Sequence, residues 1–238
     1  MTFVQHLDEL RTRLLRSIVA LLLAVVVAMF FYKNLITIAT LPHYRAMSWL
    51  GMSGQFIFGT HGGSVGAAMK LACIVGLFFA SPYIARELWL FVAAGLFRDE
   101  KRYVKAFAPA SFLLFLLGCV FGYFVLIPYA LYAMVTVMPL DKVQPVFNIG
   151  DYLGLVMTLT ILVGAIFELP LVMVFLAKIG LLTPGHYRSW RKHAIVANIV
   201  AAAVIAPPDL LSMVVFVLPL LVLYEIGILS SALALRLR

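Results

Sequence analysis

Charge is what this 238-residue chain has least of: Asp, Glu, Lys and Arg make up 12% of it, where a soluble domain carries roughly a quarter. That scarcity excludes an ordinary water-soluble fold. A hydrophobic share of 64% likewise excludes a soluble domain hung on one anchor. Cysteine is scarce too. Cys73 and Cys119 lie in apolar runs without a CxxC partner, and the histidines are scattered, so the thiols read as small buried hydrophobes rather than a disulfide or metal pair. The chain has no GxSxG, no HExxH and no paired aspartates within apolar runs, so an intramembrane enzyme would lack its nucleophile, base or metal. Gly/Ser linkers, low-complexity tracts and internal repeats are missing as well. Residues 1–238 therefore read as one domain.

Long apolar runs fill the space. About 20 such residues cross a bilayer core of about 30 Å. Six candidate spans lie at roughly 15–37, 69–97, 106–137, 152–179, 193–206 and 210–234, which predicts an all-α integral membrane protein. Basic residues ahead of the first run resemble a secretory signal, but the run ends in FFYKN without a cleavage site and reads as a retained helix. The last two spans look short: 13 residues separate His193 from Pro207, about 20 Å of helix. Residues 38–68, with Pro42, Trp49 and the glycine-rich GMSGQFIFGTHGGSVG, read as an outer cap or lid.

The net charge of +8 follows insertion, not nucleic acid, because no basic patch is interleaved with aromatics. Of 18 lysines and arginines, thirteen fall on one side: Arg11, Arg13, Arg16, Arg98, Lys101, Arg102, Lys105, Lys178, Arg188, Arg191, Lys192, Arg236 and Arg238. Lys33, Arg45, Lys70 and Lys142 fall on the other, and Arg86 lies within a span. Both termini are thus expected in the cytoplasm.

The residues out of place carry the functional question. HLDELRTRLL is an amphipathic lead-in to the first span, with His6, Glu9 and Arg13 on one side. From chemistry alone Glu9 has two open readings: a helix-surface pair with Arg13, or an acid for a cationic ligand. In SPYIARELWLF, Pro82 is expected to kink the helix, Trp89 and Phe91 suit an interfacial aromatic belt, and Arg86 and Glu87 either snorkel or pair with other helices. Glu100 stands among positive charge, as a solvated salt bridge or as a ligand acid. Glu168, in GAIFELPLVMVF, has apolar neighbours for several turns, so it must be paired, protonated, facing water or facing a partner. Pro170 frees the carbonyl of Ile166 and allows a bend beside it. Asp209 after two prolines reads as an N-cap, and Glu225 as an interfacial acid.

In their order, HLDELRTRL, SPYIARELWLFVAAGL, FRDEKR, FELP, APPD and LYEIG resemble the TatC family, the C subunit of the twin-arginine protein translocase, over essentially the whole chain. The resemblance implies a glove-like, concave bundle of six helices in the cell inner membrane that acts as a receptor for twin-arginine signal peptides of folded cargo. It implies signal-peptide binding by Glu9, Glu100, Phe91 and Arg11, and intramembrane or partner-facing roles for Glu168, Asp209 and Glu225. Pro42 matches a position typical of the family. The implied partners are single-span TatA/TatB-type subunits in a multimeric complex, with no cofactor, no metal and no catalysis. Departures are Ala94 where proline is frequent, Glu87 where an amide is common, Met213 where a polar residue is common, and an outer loop lacking its usual acid. A proton- or ion-coupled secondary transporter, routed through Arg86, Glu87 and Glu168, is the alternative; repeat symmetry or broken helices in both halves would mark it.

Overall fold

Backbone groups in lipid have no water to bond, so apolar runs of this length satisfy them as helices. The computed structural model describes residues 3–57, 59, 63–96, 101–137, 145–205 and 210–236. In chain order these form α1 (Phe3–Phe30), α2 (Tyr32–Trp49), β1 (Phe56–Ile57), α3 (Gly63–Ala94), α4 (Lys101–Phe121), a π-helical turn (Gly122–Leu126), α5 (Ile127–Thr136), β2 (Phe147–Asn148), α6 (Ile149–Phe167), α7 (Leu169–Lys178), α8 (Pro184–Ser189), α9 (Arg191–Ile205) and α10 (Leu210–Arg236). Five stretches are long and apolar enough to cross a membrane: Val4–Phe30, Gly63–Ala94, Val104–Thr136, Ile149–Lys178 and Leu210–Arg236. At 15 residues α9 covers about 22 Å, short as expected. The last helix is not short. It runs 27 residues through Pro219, about 40 Å, because apolar residues continue to its end.

The first run is also divided differently from the expectation. It breaks at Phe31, and α2 carries the chain to Trp49, through what the sequence presents as an irregular cap over 38–68. Ala39, Thr40, Pro42, His43, Ala46 and Met47 are buried along one stripe of α2, a helical period that its proline and histidine conceal. The amide of α6's first turn is capped by Asn148, whose side chain accepts from Gly150 at 2.8 Å. Just before it, β2 pairs in parallel with β1, Phe56 opposite Phe147 and Ile57 opposite Asn148. Lys70 Nζ also donates to the Gly150 carbonyl at 2.8 Å, joining α3 to α6 nearby.

Helices approach closely where glycine permits. A Cβ on Gly118 of α4 would sit 2.9 Å from the Cα of Gly164 on α6. Gly76 of α3 likewise faces the backbone of Val25 on α1. The largest buried cluster joins Met47, Leu71, Ile127, Leu153, Val156 and Phe216. A second centres on Trp89, which stacks on Phe107 at 5.1 Å and meets Phe175 edge-on at 5.1 Å. Trp89 is thus buried packing and not part of an interfacial belt, because its side of α3 is covered by α4 and α7.

Candidate functional site

The polar residues of α1 and α3 meet because the two helices run antiparallel. His6 stacks on Phe91 at 4.6 Å, seven residues before Arg13 reaches Glu87. Glu9 Oε1 accepts from Arg13 Nε and Nη2, both at 2.7 Å, the one-turn pair that the spacing allows. The same guanidinium donates through Nη1 to Glu87 Oε2 at 2.8 Å, and Arg86 Nη1 donates to Glu87 Oε1 at 3.0 Å. Glu87 is 1% exposed and Glu9 28%. A carboxylate so deeply buried is tolerable because both of its oxygens accept charge-assisted bonds. The result is a chain of alternating charge at one end of the bundle, with an aromatic pair beside it. Arg11 is exposed and, two residues from Glu9, leaves the helix in another direction. Glu100 lies outside the described residues, as does Asp209.

Within the span, Glu168 is the single residue between α6 and α7. Its amide bonds the carbonyl of Ala165 at 3.1 Å, and its own carbonyl accepts from Val172 at 3.0 Å. Pro170 occupies the first turn of α7, where a missing N–H costs little. The side chain of Glu168 accepts from Ser111 Oγ of α4 at 2.8 Å. Its polar partner is therefore Ser111, a residue the sequence reading passed over. Phe167, the neighbour of Glu168, lines an apolar crevice of 550 Å³ with Phe121, Tyr129, Val215, Pro219 and Val222. Glu225 pairs with Arg191 Nη2 at 2.7 Å, both half-exposed, and so fastens α10 to the start of α9. Tyr224 beside it donates to the Tyr187 carbonyl at 2.9 Å.

The prolines show how helical backbone is kept satisfied. Pro82 leaves the carbonyl of Phe78 without its usual donor, and Ser81 Oγ supplies one at 2.7 Å, so α3 stays helical through it. Pro42 does the same to Ile38, whose oxygen takes the Tyr123 hydroxyl. The next carbonyl, Ala39, accepts from Tyr152 at 2.6 Å. Against this wall His43 is fully buried; Nε2 donates to the Gly54 carbonyl at 2.8 Å, and Nδ1 has no partner among the described residues. Burial holds the imidazole below its ordinary pKa. Gly54 has φ +60°, and a Cβ there would collide with Met47. None of Tyr123, Tyr152, His43 or Ser111 was singled out by sequence; for Tyr123 the available signal was the carbonyl of Ile38, freed by Pro42 four residues on, and the other three bond groups that no proline frees.

The model of one family, described as Sec-independent protein translocase protein (TatC), matches residues 5–219. The chain is similar to the Sec-independent protein translocase protein TatC of Desulforapulum autotrophicum, at 35% identity over 96% of this chain and 83% of the relative. It is similar to TatCy of Bacillus subtilis at 33% identity, over 99% of this chain and 91% of the relative. Among solved structures, the crystal structure of the twin-arginine translocase receptor TatC superposes with a TM-score of 0.82 at 34% identity, covering 96% of this chain and 99% of the other.

Proposed function

The chain belongs to the TatC family of Sec-independent protein translocase proteins, a multi-pass membrane protein of the twin-arginine system, and from that membership we propose how it binds its ligand. Twin-arginine signal peptides dock at the cytoplasmic face of the inner membrane, between Glu9 of α1 and Glu100 of the connection that follows α3. Phe91 flanks them. Two adjacent guanidinium groups favour carboxylates because each planar fork donates paired hydrogen bonds that lysine cannot reproduce. The surroundings are basic, so recognition has to be local, at a lipid–water boundary where charge pairs gain over bulk water. The observation that carries this reading is the partly exposed carboxylate of Glu9, held on α1 beside the end of α3 and close to the His6–Phe91 stack. The excess of lysine and arginine on the same side supports cytoplasmic termini. Single-span TatA/TatB-type subunits complete the complex, with Glu168 offered to one of them.

Glu100→Lys tests the site. Site-specific crosslinking of an Arg-Arg signal peptide to the variant should be lost while insertion and folding are retained, and a Lys-Lys peptide should crosslink poorly even to the original protein. Crosslinking that persists unchanged in the variant would show the site to be elsewhere.

A further inference from the structure

The ion network holds one acid that no ligand can reach. Glu87 is buried, yet it is ionically engaged on both oxygens. A role in packing alone would be met by an apolar side chain of similar size, without the desolvation that an ion suffers. Its position beside Arg13 explains the charge. Arg13 carries a single positive charge between two carboxylates. If Glu87 were neutral, that charge would belong to Glu9 alone, and the pair would offer an incoming cation nothing. With a carboxylate at 87, Arg13 is shared between two acids, and the Glu9–Arg13–Glu87–Arg86 network is neutral overall instead of carrying one positive charge. Both Arg13 contacts to Glu9 fall on Oε1, and among the described residues nothing donates to Oε2. Arg86 shares Glu87, donating to its Oε1 at 3.0 Å, but its side chain is 61% exposed where that of Arg13 is 20%, so Arg13 is the more tightly held of the two.

We propose that Glu87 is a positioning residue for peptide recognition: by sharing the charge of Arg13 it leaves the carboxylate of Glu9 only partly compensated, with no donor to its Oε2 among the described residues. This inference rests on the receptor reading above and adds to it the buried acid that sets the strength of the exposed one. Glu87 acts through Arg13 and never touches the guest.

The test uses the full chain in lipid nanodiscs. Glu87→Gln keeps the volume and removes the charge; the dissociation constant for a fluorescent Arg-Arg signal peptide should rise about tenfold. Adding Arg13→Gln removes the stranded cation and restores the net charge, so the double variant should bind within about threefold of the original. A scaffolding role predicts the opposite order. A double variant that binds worse than the single one, or a Glu87→Gln protein that binds normally, overturns the proposal. A second arm needs no peptide: carbodiimide-driven amidation of Glu9 by ethylenediamine, read residue by residue by mass spectrometry. Glu87→Gln should slow it, because Arg13 then falls wholly on Glu9, and the double variant should speed it. Faster amidation in the single variant overturns the proposal. If the original protein fails to bind the peptide while amidation follows the expected order, the receptor reading falls and the charge assignment to Glu87 stands.

Discussion

The hydroxyl of Tyr123 donates to the carbonyl of Ile38, the oxygen that Pro42 deprives of its helical partner four residues on. Tyr123 belongs to the π-helical turn between α4 and α5, so a defect in α2 is repaired by a second irregularity elsewhere in the chain. Pi turns widen a helix by one residue and shift the side chains beyond them. Here the widening falls just before Pro128, whose ring needs room in the preceding turn.

Tyr123→Phe should therefore remove that donor, at a cost of about 0.5–1.5 kcal/mol for a bond at an exposed site. Thermal unfolding in detergent measures it, with Tyr129→Phe as the control, since Tyr129 is half-exposed and its ring lies tilted against Trp49 at 5.1 Å. Equal loss in both variants would mean that the Tyr123 hydroxyl contributes nothing particular.

The buried imidazole of His43 makes the segment after α2 sensitive to acid. Its folded pKa lies below the ordinary value near 6.5, so its contribution is complete above that pH and is lost as pH falls through the folded value. The rings packed on it, Tyr44, Phe56, Phe147 and Tyr152, supply no carboxylate to accept a proton's charge. Hydrogen exchange across 52–57, corrected for intrinsic rates, should be faster at about pH 5 than at about pH 7.5, and the difference should vanish in His43→Gln. Exchange that does not change with pH would place the controlling proton on another group.

Glu168 should set affinity for a single-span partner subunit. Glu168→Ala is expected to reduce co-purification of that partner several-fold, whereas Glu168→Gln, which still accepts from Ser111, should retain more of it. Equal recovery of the partner with the original and the alanine variant would remove Glu168 from the interface.

The long helices were legible because hydrophobic length alone forces them. The bend at FELP was legible for a similar local reason, a proline beside an ionisable residue. The cap was not. Pro42 and Trp49 are loop signals in water, but α2 buries Pro42, with Tyr123 supplying the missing donor, and leaves Trp49 partly exposed beside Tyr129. Trp89 misled because the same amphipathic ring serves an interface and a core equally well. The Arg13–Glu87 bridge joins positions 74 apart, and Ser111–Glu168 joins positions 57 apart. No spacing rule reaches across such intervals. What could be read was that Glu87 and Glu168 needed partners; which ones followed only from helix packing.

The small parallel pairing of Phe56–Ile57 with Phe147–Asn148 fixes the parity of the path between them. Its strands lie side by side and each precedes a long helix, so the chain must traverse the bilayer an even number of times from one to the other: once along α3 and back along α4 and α5. Near the pairing, the Lys70 bond to the Gly150 carbonyl ties α3 directly to the start of α6, and a slide of one helix along the other by a turn, about 5.4 Å, would break it. A swing of α3 about this point keeps that bond, whereas a piston stroke along its axis breaks it.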